Sequence, residues 1–374
     1  MKRILIIAGE TSGDLHGSAL MKSILESNPD TSFRGIGGSL MIEAGLDAIR
    51  HVRDMNFMGI VEVIRHLPFI HRTLKDVRNL ISSWQPDLAI LIDYPGFNLK
   101  LAPFFKSNNI PLMYYISPQL WAWHKSRVKK IRNYVDRMVV LFDFEQDFYR
   151  TYGVDVDFVG HPLLDVVSPS ENRDSFRASL GASEIPLIGL LPGSRPQEID
   201  RILPDMIESV DLLKSSLGDF KAVIGCAPEL DRRVLERYIG NKDIDIIHGK
   251  TYDIMAHADA LAVTSGTATL ETGILGTPMV VLYKTSPLTY YIGKALVQVD
   301  HIGLINIVAD SRVVPELIQH KVTPKAVAAY LTAFCIDNEL NAGVRRSLSQ
   351  TRERLGEPGA SHRAADVALD MLCI

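Results

Sequence analysis

The chain has little of what marks a disulfide-bonded, metal-binding or membrane-spanning protein. Its three cysteines, Cys226, Cys335 and Cys373, stand far apart without CxxC spacing. Neither a disulfide framework nor a zinc site is expected, and a reducing cytoplasm fits. No uninterrupted apolar run approaches the ~20 residues of a membrane helix. The opening run in MKRILIIAGETSGD ends in Gly-Glu-Thr-Ser-Gly-Asp without a small-residue cleavage site, so it reads as a first strand and not a signal peptide. Neither sign of charge dominates. A net charge of -4 and a pI near 6.3 remove any global pull toward nucleic acid, so an anion site must be local. Internal repeats and low-complexity tracts are also missing.

What is present is an ordinary globular composition, 47% hydrophobic and 22% charged, in 374 residues, long enough for two domains. Apolar strands alternate with amphipathic helices from end to end, the pattern of parallel sheets covered on both faces. Arg3 to Ala8, Leu88 to Ile92, Leu112 to Ile116 and Arg137 to Phe142 are strand candidates in the first half. Leu187 to Leu191, Ala222 to Cys226, Ile244 to Ile247, Leu261 to Val263 and Met279 to Leu282 follow in the second. VGHPLLDVVSPSENRD, Val159 to Asp174, has prolines and no period and reads as a linker. The expected fold class is α/β, with two Rossmann-like domains facing across a cleft. The first domain spans 1–167 and the second 168–345. A helical segment at 346–374 is placed to pack back on the first domain.

The stretch Ala260 to Leu282 reads as a βαβ unit whose turn, Ser265-Gly266-Thr267, opens a helix. Unpaired N–H groups and the positive end of the helix dipole suit a phosphate there. Thr267 can cap the helix, and Glu271, one turn in, can chelate two ribose hydroxyls. The competing reading is a capped helix with a solvated glutamate. A second turn of the same kind, Gly193-Ser194-Arg195, follows the strand Leu187 to Leu191, and Arg195 has the planar fork that grips a diphosphate. Two anion-friendly turns in one half point at one nucleotide diphosphate.

In the first half, Gly9-Glu10-Thr11-Ser12-Gly13-Asp14 makes another glycine turn, without the GxGxxG spacing of a dinucleotide fold. This places Ser12 and Gly13 at the cleft. The apolar run ALAILI delivers Asp93 to a turn with Pro95 and Gly96, where partial desolvation raises a carboxylate toward the working range of a general base. The alternative is an aspartate that orders the turn. Asn98 either orients substrate or caps the following helix. His161, in Gly-His-Pro, either contacts a sugar or phosphate or is a hydrogen-bonded structural ring.

Met58 to Leu74 interleaves apolar residues, among them Val61, Val63, Ile64, Leu67 and Phe69, with Arg65, His66, His71 and Arg72, the mix of an interfacial helix. A core-facing helix shows the same amphipathicity. Lys125, Arg127, Lys129, Lys130 and Arg132 form a basic face, which either holds an anionic partner or is simply solvated.

In order, GETSGD, MGIVEV, IDYPGFN, SPQLWAWHKSRVKKI, FVGHPLLD, LLPGSR and TSGTATLE closely resemble the lipid-A-disaccharide synthase family over almost the whole chain. The resemblance implies a glycosyltransferase of the two-Rossmann-domain type B that inverts the anomeric centre without metal or other cofactor. No DxD pair stands at the donor turn, in agreement. It implies joining of UDP-2,3-diacylglucosamine to 2,3-diacylglucosamine 1-phosphate, giving a β-1,6-linked disaccharide 1-phosphate and UDP in the lipid A pathway of Gram-negative bacteria. It also implies a peripheral place on the cytoplasmic face of the inner membrane. The family's catalytic aspartate matches Asp93, its donor arginine Arg195, and its nucleotide residues Ser265, Gly266, Thr267 and Glu271. A later asparagine maps onto Asn306, in Leu-Ile-Asn where the family pattern is Leu-Pro-Asn. A UDP-sugar epimerase of the same fold needs the nucleotide site but no lipid acceptor. A nucleotide-binding protein without catalysis needs no base at Asp93.

Overall fold

The computed structural model describes residues 1–55, 66–122, 125–227, 230–287, 289–291 and 300–373. They fall into two compact units, one of Met1–Asp165 with Gly356–Ile374 and one of Val166–Leu355.

The first unit is built on a parallel seven-stranded sheet. Its strands are β1 (Lys2–Ala8), β2 (Thr31–Gly37), β3 (Leu46–His51), β4 (Leu88–Ile92), β5 (Leu112–Tyr115), β6 (Arg137–Val140) and β7 (Val156–Phe158), ordered β3-β2-β1-β4-β5-β6-β7. Central strands carry buried apolar runs, Ile4 to Ala8 in β1 and Leu88 to Ile92 in β4, because both faces are covered. Ile4, Ile6 and Ala8 pack in one core with Leu20 and Ile24 of the helix Thr11–Ser27. Leu5 and Ile7 pack in another with Phe97 and Leu101 of the helix Pro95–Ser107.

The second unit holds a parallel six-stranded sheet of β8 (Leu187–Leu191), β9 (Lys221–Cys226), β10 (Ile244–His248), β11 (Ala260–Thr264), β12 (Met279–Tyr283) and β13 (Glu316–Ile318), ordered β10-β9-β8-β11-β12-β13. In each sheet the order reverses once, between β1 and β4 and between β8 and β11. Helix starts gather at the strand C-termini of such a point, and ligands bind there in open α/β sheets.

The structure differs from the sequence reading at four strands. β2, β3, β7 and β13 are short or lie toward the sheet edges, and β3 and β7 are mostly half-buried, so they lack the apolar runs of the centre. The segment read as a linker contains the helix Leu163–Val166 and the start of the helix Arg173–Ser179. The chain returns to the first unit after Leu355 and not at 346, because Asn338–Glu353 is one continuous helix. The basic stretch is a 3₁₀ turn, Lys125–Arg127, leading into the helix Val128–Tyr134, with Val128 and Ile131 buried.

The helix Ala360–Met371 completes the core of the first unit. Ala364 and Ala368 are fully buried in the cluster that holds Leu20, Ile24 and Tyr115, and their small side chains permit close helix contact. Lys2 Nζ donates to Leu372 O at 2.9 Å and Arg363 Nε to Val159 O at 2.8 Å. Ala364→Leu adds volume where none is free. The substitution is expected to lower stability by about 1–3 kcal/mol, seen as a reduced urea midpoint at unchanged slope. An unchanged midpoint would refute the close packing of this helix.

Candidate active site

At the reversal point of the first sheet, Ala8 pairs with Ile92, so Gly9 and Asp93 leave their strands side by side. Asp93 and Tyr94 both take left-handed backbone angles, φ 41° and 46°, which side chains other than glycine adopt only when held there. Several contacts hold them. Asp93 N donates to Tyr115 O at 3.1 Å. Asn98 Nδ2 donates to Asp93 O at 2.7 Å and Ile92 O at 3.2 Å, and Tyr114 Oη also donates to Asp93 O. Tyr94 Oη donates to Met55 O at 3.0 Å. The Tyr94 ring lies where a Cβ on Gly9 would be, 2.1 Å from Tyr94 Cγ, so only glycine fits beside it.

The Asp93 carboxyl is thereby fixed in a half-buried position. Burial, and then the nearby Glu10 charge, push its pKa from 3.8 up to about 7, against a lowering hydrogen bond from the Tyr94 backbone. It lines a cavity of about 260 Å³ together with Glu10, Pro95, Gln119 and Arg127. Asn98 is fully buried under this turn and positions the Asp93 backbone. It has no exposed surface to offer a substrate.

Three other residues expected at the cleft have different places. Ser12 is exposed in the first turn of its helix, whereas Gly13 faces inward, with Ala8 Cβ 3.2 Å from where its own Cβ would stand. His161 is 6% exposed, its Nδ1 accepts from Leu163 N at 3.2 Å, and its ring sits 5.1 Å from that of Phe142. Burial, with the neighbouring His16, lowers its pKa to about 3, so it is a neutral structural ring with no charge for a phosphate. Asp14, unremarked in the sequence, is buried and accepts from Gly38 N at 2.7 Å, Met41 N at 3.0 Å and Leu40 N at 3.2 Å, capping the short helix Ser39–Glu43.

At the reversal point of the second sheet, Leu191 pairs with Val263, which brings the turns Gly193-Ser194-Arg195 and Ser265-Gly266-Thr267 together. Each opens a helix, Pro196–Leu217 and Thr267–Leu275, and neither N-terminus receives a side-chain cap. The expected Thr267 cap is not made. Thr267 is the first helical residue, behind Gly266. Gly193 has φ 93°, and a Cβ there would stand 2.8 Å from Glu198 Oε2. The exposed Arg195 holds Glu198 Oε1 at 3.0 Å. Such a surface pair is worth about 0–1 kcal/mol, so the guanidinium is readily exchanged onto a diphosphate. Ser265 Oγ donates to Ile302 O at 3.0 Å, which fixes the turn. Glu271 is half-buried. Burial raises its pKa, opposed by Tyr252 Oη, which donates to its Oε1 at 3.0 Å.

Asn306 is joined to this edge through Glu316 and Ile302, the second of which accepts from Ser265 Oγ and donates to Glu316. It is fully buried, with Nδ2 donating to Val314 O and Glu316 Oε1, both at 2.9 Å, and Oδ1 accepting from Val314 N at 3.0 Å. It braces the buried Glu316, whose carboxylate also receives Gly303 N. The lipid-surface reading is corrected in part. Ile70 and Leu74 are core residues of the helix Leu67–Trp84, and Phe69 packs partly against that core, while Leu67 is 37% exposed. Val61, Val63 and Ile64 lie outside the described residues. Among the described residues no helix is long and apolar enough to cross a membrane.

The sequence model described as lipid-A-disaccharide synthetase matches residues 4–371. A lipid-A-disaccharide synthase of Syntrophus aciditrophicus is 44% identical over 99% of this chain and 98% of its own length. Among solved structures, the calicheamicin glycosyltransferase CalG4 superposes with a TM-score of 0.62 at 15% identity, covering 100% of this chain and 98% of that one. The UDP-GlcNAc 2-epimerase of Neisseria meningitidis, bound to UDP-GlcNAc, gives 0.58 at 10% identity, covering 100% of both. Transferases and epimerases thus share this α/β fold of two parallel-sheet units, and the fold alone does not separate them. The sequence comparisons do.

The raised pKa of Asp93 has a consequence that needs no substrate. Between 3.8 and about 7 the folded protein keeps a proton that the unfolded chain releases, so this residue's contribution to stability falls as pH rises through that window. Asp93→Asn removes the effect. Relative to wild type, the variant should gain stability from pH 5 to pH 8, measured by urea unfolding at both. A pH-independent difference would show that the carboxyl is not perturbed.

Proposed function

The chain belongs to the lipid-A-disaccharide synthase family, glycosyltransferases of lipid A synthesis, and on that premise we propose that its two sheet-reversal sites divide one sugar transfer between them. The donor is UDP-2,3-diacylglucosamine and the acceptor 2,3-diacylglucosamine 1-phosphate. Ser194, Arg195, Ser265, Gly266 and Thr267 receive the diphosphate, and Glu271 takes the ribose hydroxyls. The observation that carries this reading is the pairing of two uncapped helix N-termini and one weakly engaged arginine at the same strand reversal.

Asp93 acts as general base. Its carboxylate removes the proton from the acceptor 6-hydroxyl while that oxygen forms the bond to C1 of the donor on the face opposite the diphosphate. The C1–O bond breaks with its electron pair going to UDP, and the configuration inverts. Arg195 and the helix N-termini stabilise the charge that builds on the departing diphosphate. A base with a pKa near the working pH combines a useful deprotonated fraction with enough basicity to take the proton. Because both substrates carry acyl chains, the protein works as a peripheral enzyme at the inner leaflet on the cytoplasmic face, and the exposed Leu67 is the described part of the contact surface. The epimerase alternative is not retained, since it has no use for a lipid acceptor.

Asp93→Asn should leave UDP affinity intact and reduce turnover by ~10²–10⁴-fold. In the wild type, kcat/KM should rise with pH through about 7 and then level off, since only the deprotonated carboxyl works. Near-normal turnover by the folded variant would remove Asp93 from the role of base.

Arg195→Lys keeps the charge and loses the fork, so UDP should bind about 1–3 kcal/mol more weakly. Calorimetry showing unchanged affinity would take Arg195 out of the donor site.

A further inference from the structure

The cavity beside Asp93 has one feature that the transfer step does not use. Among the described residues that line it, Arg127 is the one cation, and it shares the walls with two carboxylates, Asp93 and Glu10. No ion-pair partner for its guanidinium is found among the described residues. An arginine left unpaired beside acids it does not touch is an available anion site. Its position is fixed, since it closes the turn Lys125–Arg127 and is followed by Val128 and Ile131, both buried. The segment that carries the lining residues Pro118, Gln119 and Leu120 is braced at both ends as well. Ser117 Oγ donates to Pro118 O at 3.0 Å and meets Tyr149 Oη at 2.8 Å, while Trp121 Nε1 donates to the buried Glu145 at 3.2 Å.

At about 260 Å³ the cavity falls just below the roughly 300–1,000 Å³ of drug-sized ligand pockets, which suits one sugar ring with a small substituent and leaves acyl chains outside. We propose that Arg127 binds the phosphate of the phosphorylated glucosamine acceptor and makes the enzyme selective for it, with the sugar ring spanning from Arg127 to Asp93. This rests on the transferase reading above. Without the guanidinium the cavity has no positive charge to set against its two carboxylates, which repel a dianion, and the uncharged Gln119 amide favours a neutral sugar as readily as a phosphate. With it, the phosphate is drawn to one wall and the hydroxyl to be deprotonated is left toward the other. Arg127 thus sets which acceptor is used and how it lies, and Asp93 performs the chemistry.

The test compares the acylated glucosamine acceptor with and without its 1-phosphate, using wild type, Arg127→Gln and Arg127→Lys. The wild type should prefer the phosphorylated acceptor. Arg127→Gln should reduce that preference, as a ratio of kcat/KM values, by about 10- to 100-fold through KM, the loss of one charge-assisted pair. Arg127→Lys, which keeps charge and stem, should retain part of it. An unchanged ratio in the folded variants, or equal loss with both acceptors, would overturn the proposal while leaving the transferase reading in place. Failure of the wild type to release UDP with either acceptor would instead overturn the transferase reading. Calorimetry with glucosamine 1-phosphate then decides for Arg127 separately: binding by wild type that is weakened in Arg127→Gln supports the site, and equal or no binding by both refutes it.

Discussion

The structure depends on a constraint of parallel sheets. Crossovers between parallel strands are right-handed, so a strand order that grows first one way and then the other must send its helices to opposite faces at the point of reversal. In the first sheet this is visible in the core. Alternate residues of β1 meet the helix Thr11–Ser27 on one side and the helix Pro95–Ser107 on the other. The two departing loops cannot cover each other, and the gap between them exposes helix starts and strand ends. Glu10 and Asp93 stand in that gap in one unit, Arg195 and Thr267 at the equivalent place in the other. The side chains at the strand ends divide as the two reversals do, with Glu10 and Asp93 at one and Arg195 at the other.

Holding a carboxyl at the first reversal costs energy twice, once in left-handed backbone at Asp93 and Tyr94 and once in partial desolvation. The surroundings are built against both. Asn98 and Tyr114 converge on one carbonyl oxygen, and Gly9 yields its side-chain volume to the Tyr94 ring. None of these groups touches a substrate in the proposed mechanism. They keep the carboxyl from relaxing toward solvent, where its pKa would return to that of an ordinary aspartate.

Much of this was legible in the sequence, for physical reasons that also explain what was not. Strands such as LAILI and ALAVT are buried on both faces and announce themselves as apolar runs, while β3 and β7 are half-buried and carry no such run. The glycine turns and Asp93 could be placed because each directly follows an apolar strand. Residue type and order reveal nothing about which way the Asn306 amide faces, and here it turns inward to Glu316. Asp14, Tyr252 and the cavity role of Arg127 depend on partners distant in the chain, and no local spacing encodes them.

The first unit is discontinuous, its last helix separated from the rest by the whole of the second unit. On the ribosome the surface formed by Leu20, Ile24 and Tyr115 is made early, and the helix that covers it emerges only after the second unit. At roughly 5–20 residues per second, about 10–40 s pass between the two events. During that interval the second unit can close around its own core while the first remains open on one apolar face. The nascent chain therefore carries a sticky intermediate whose lifetime is set by translation speed, and the helix Ala360–Met371 acts as the latch that ends it.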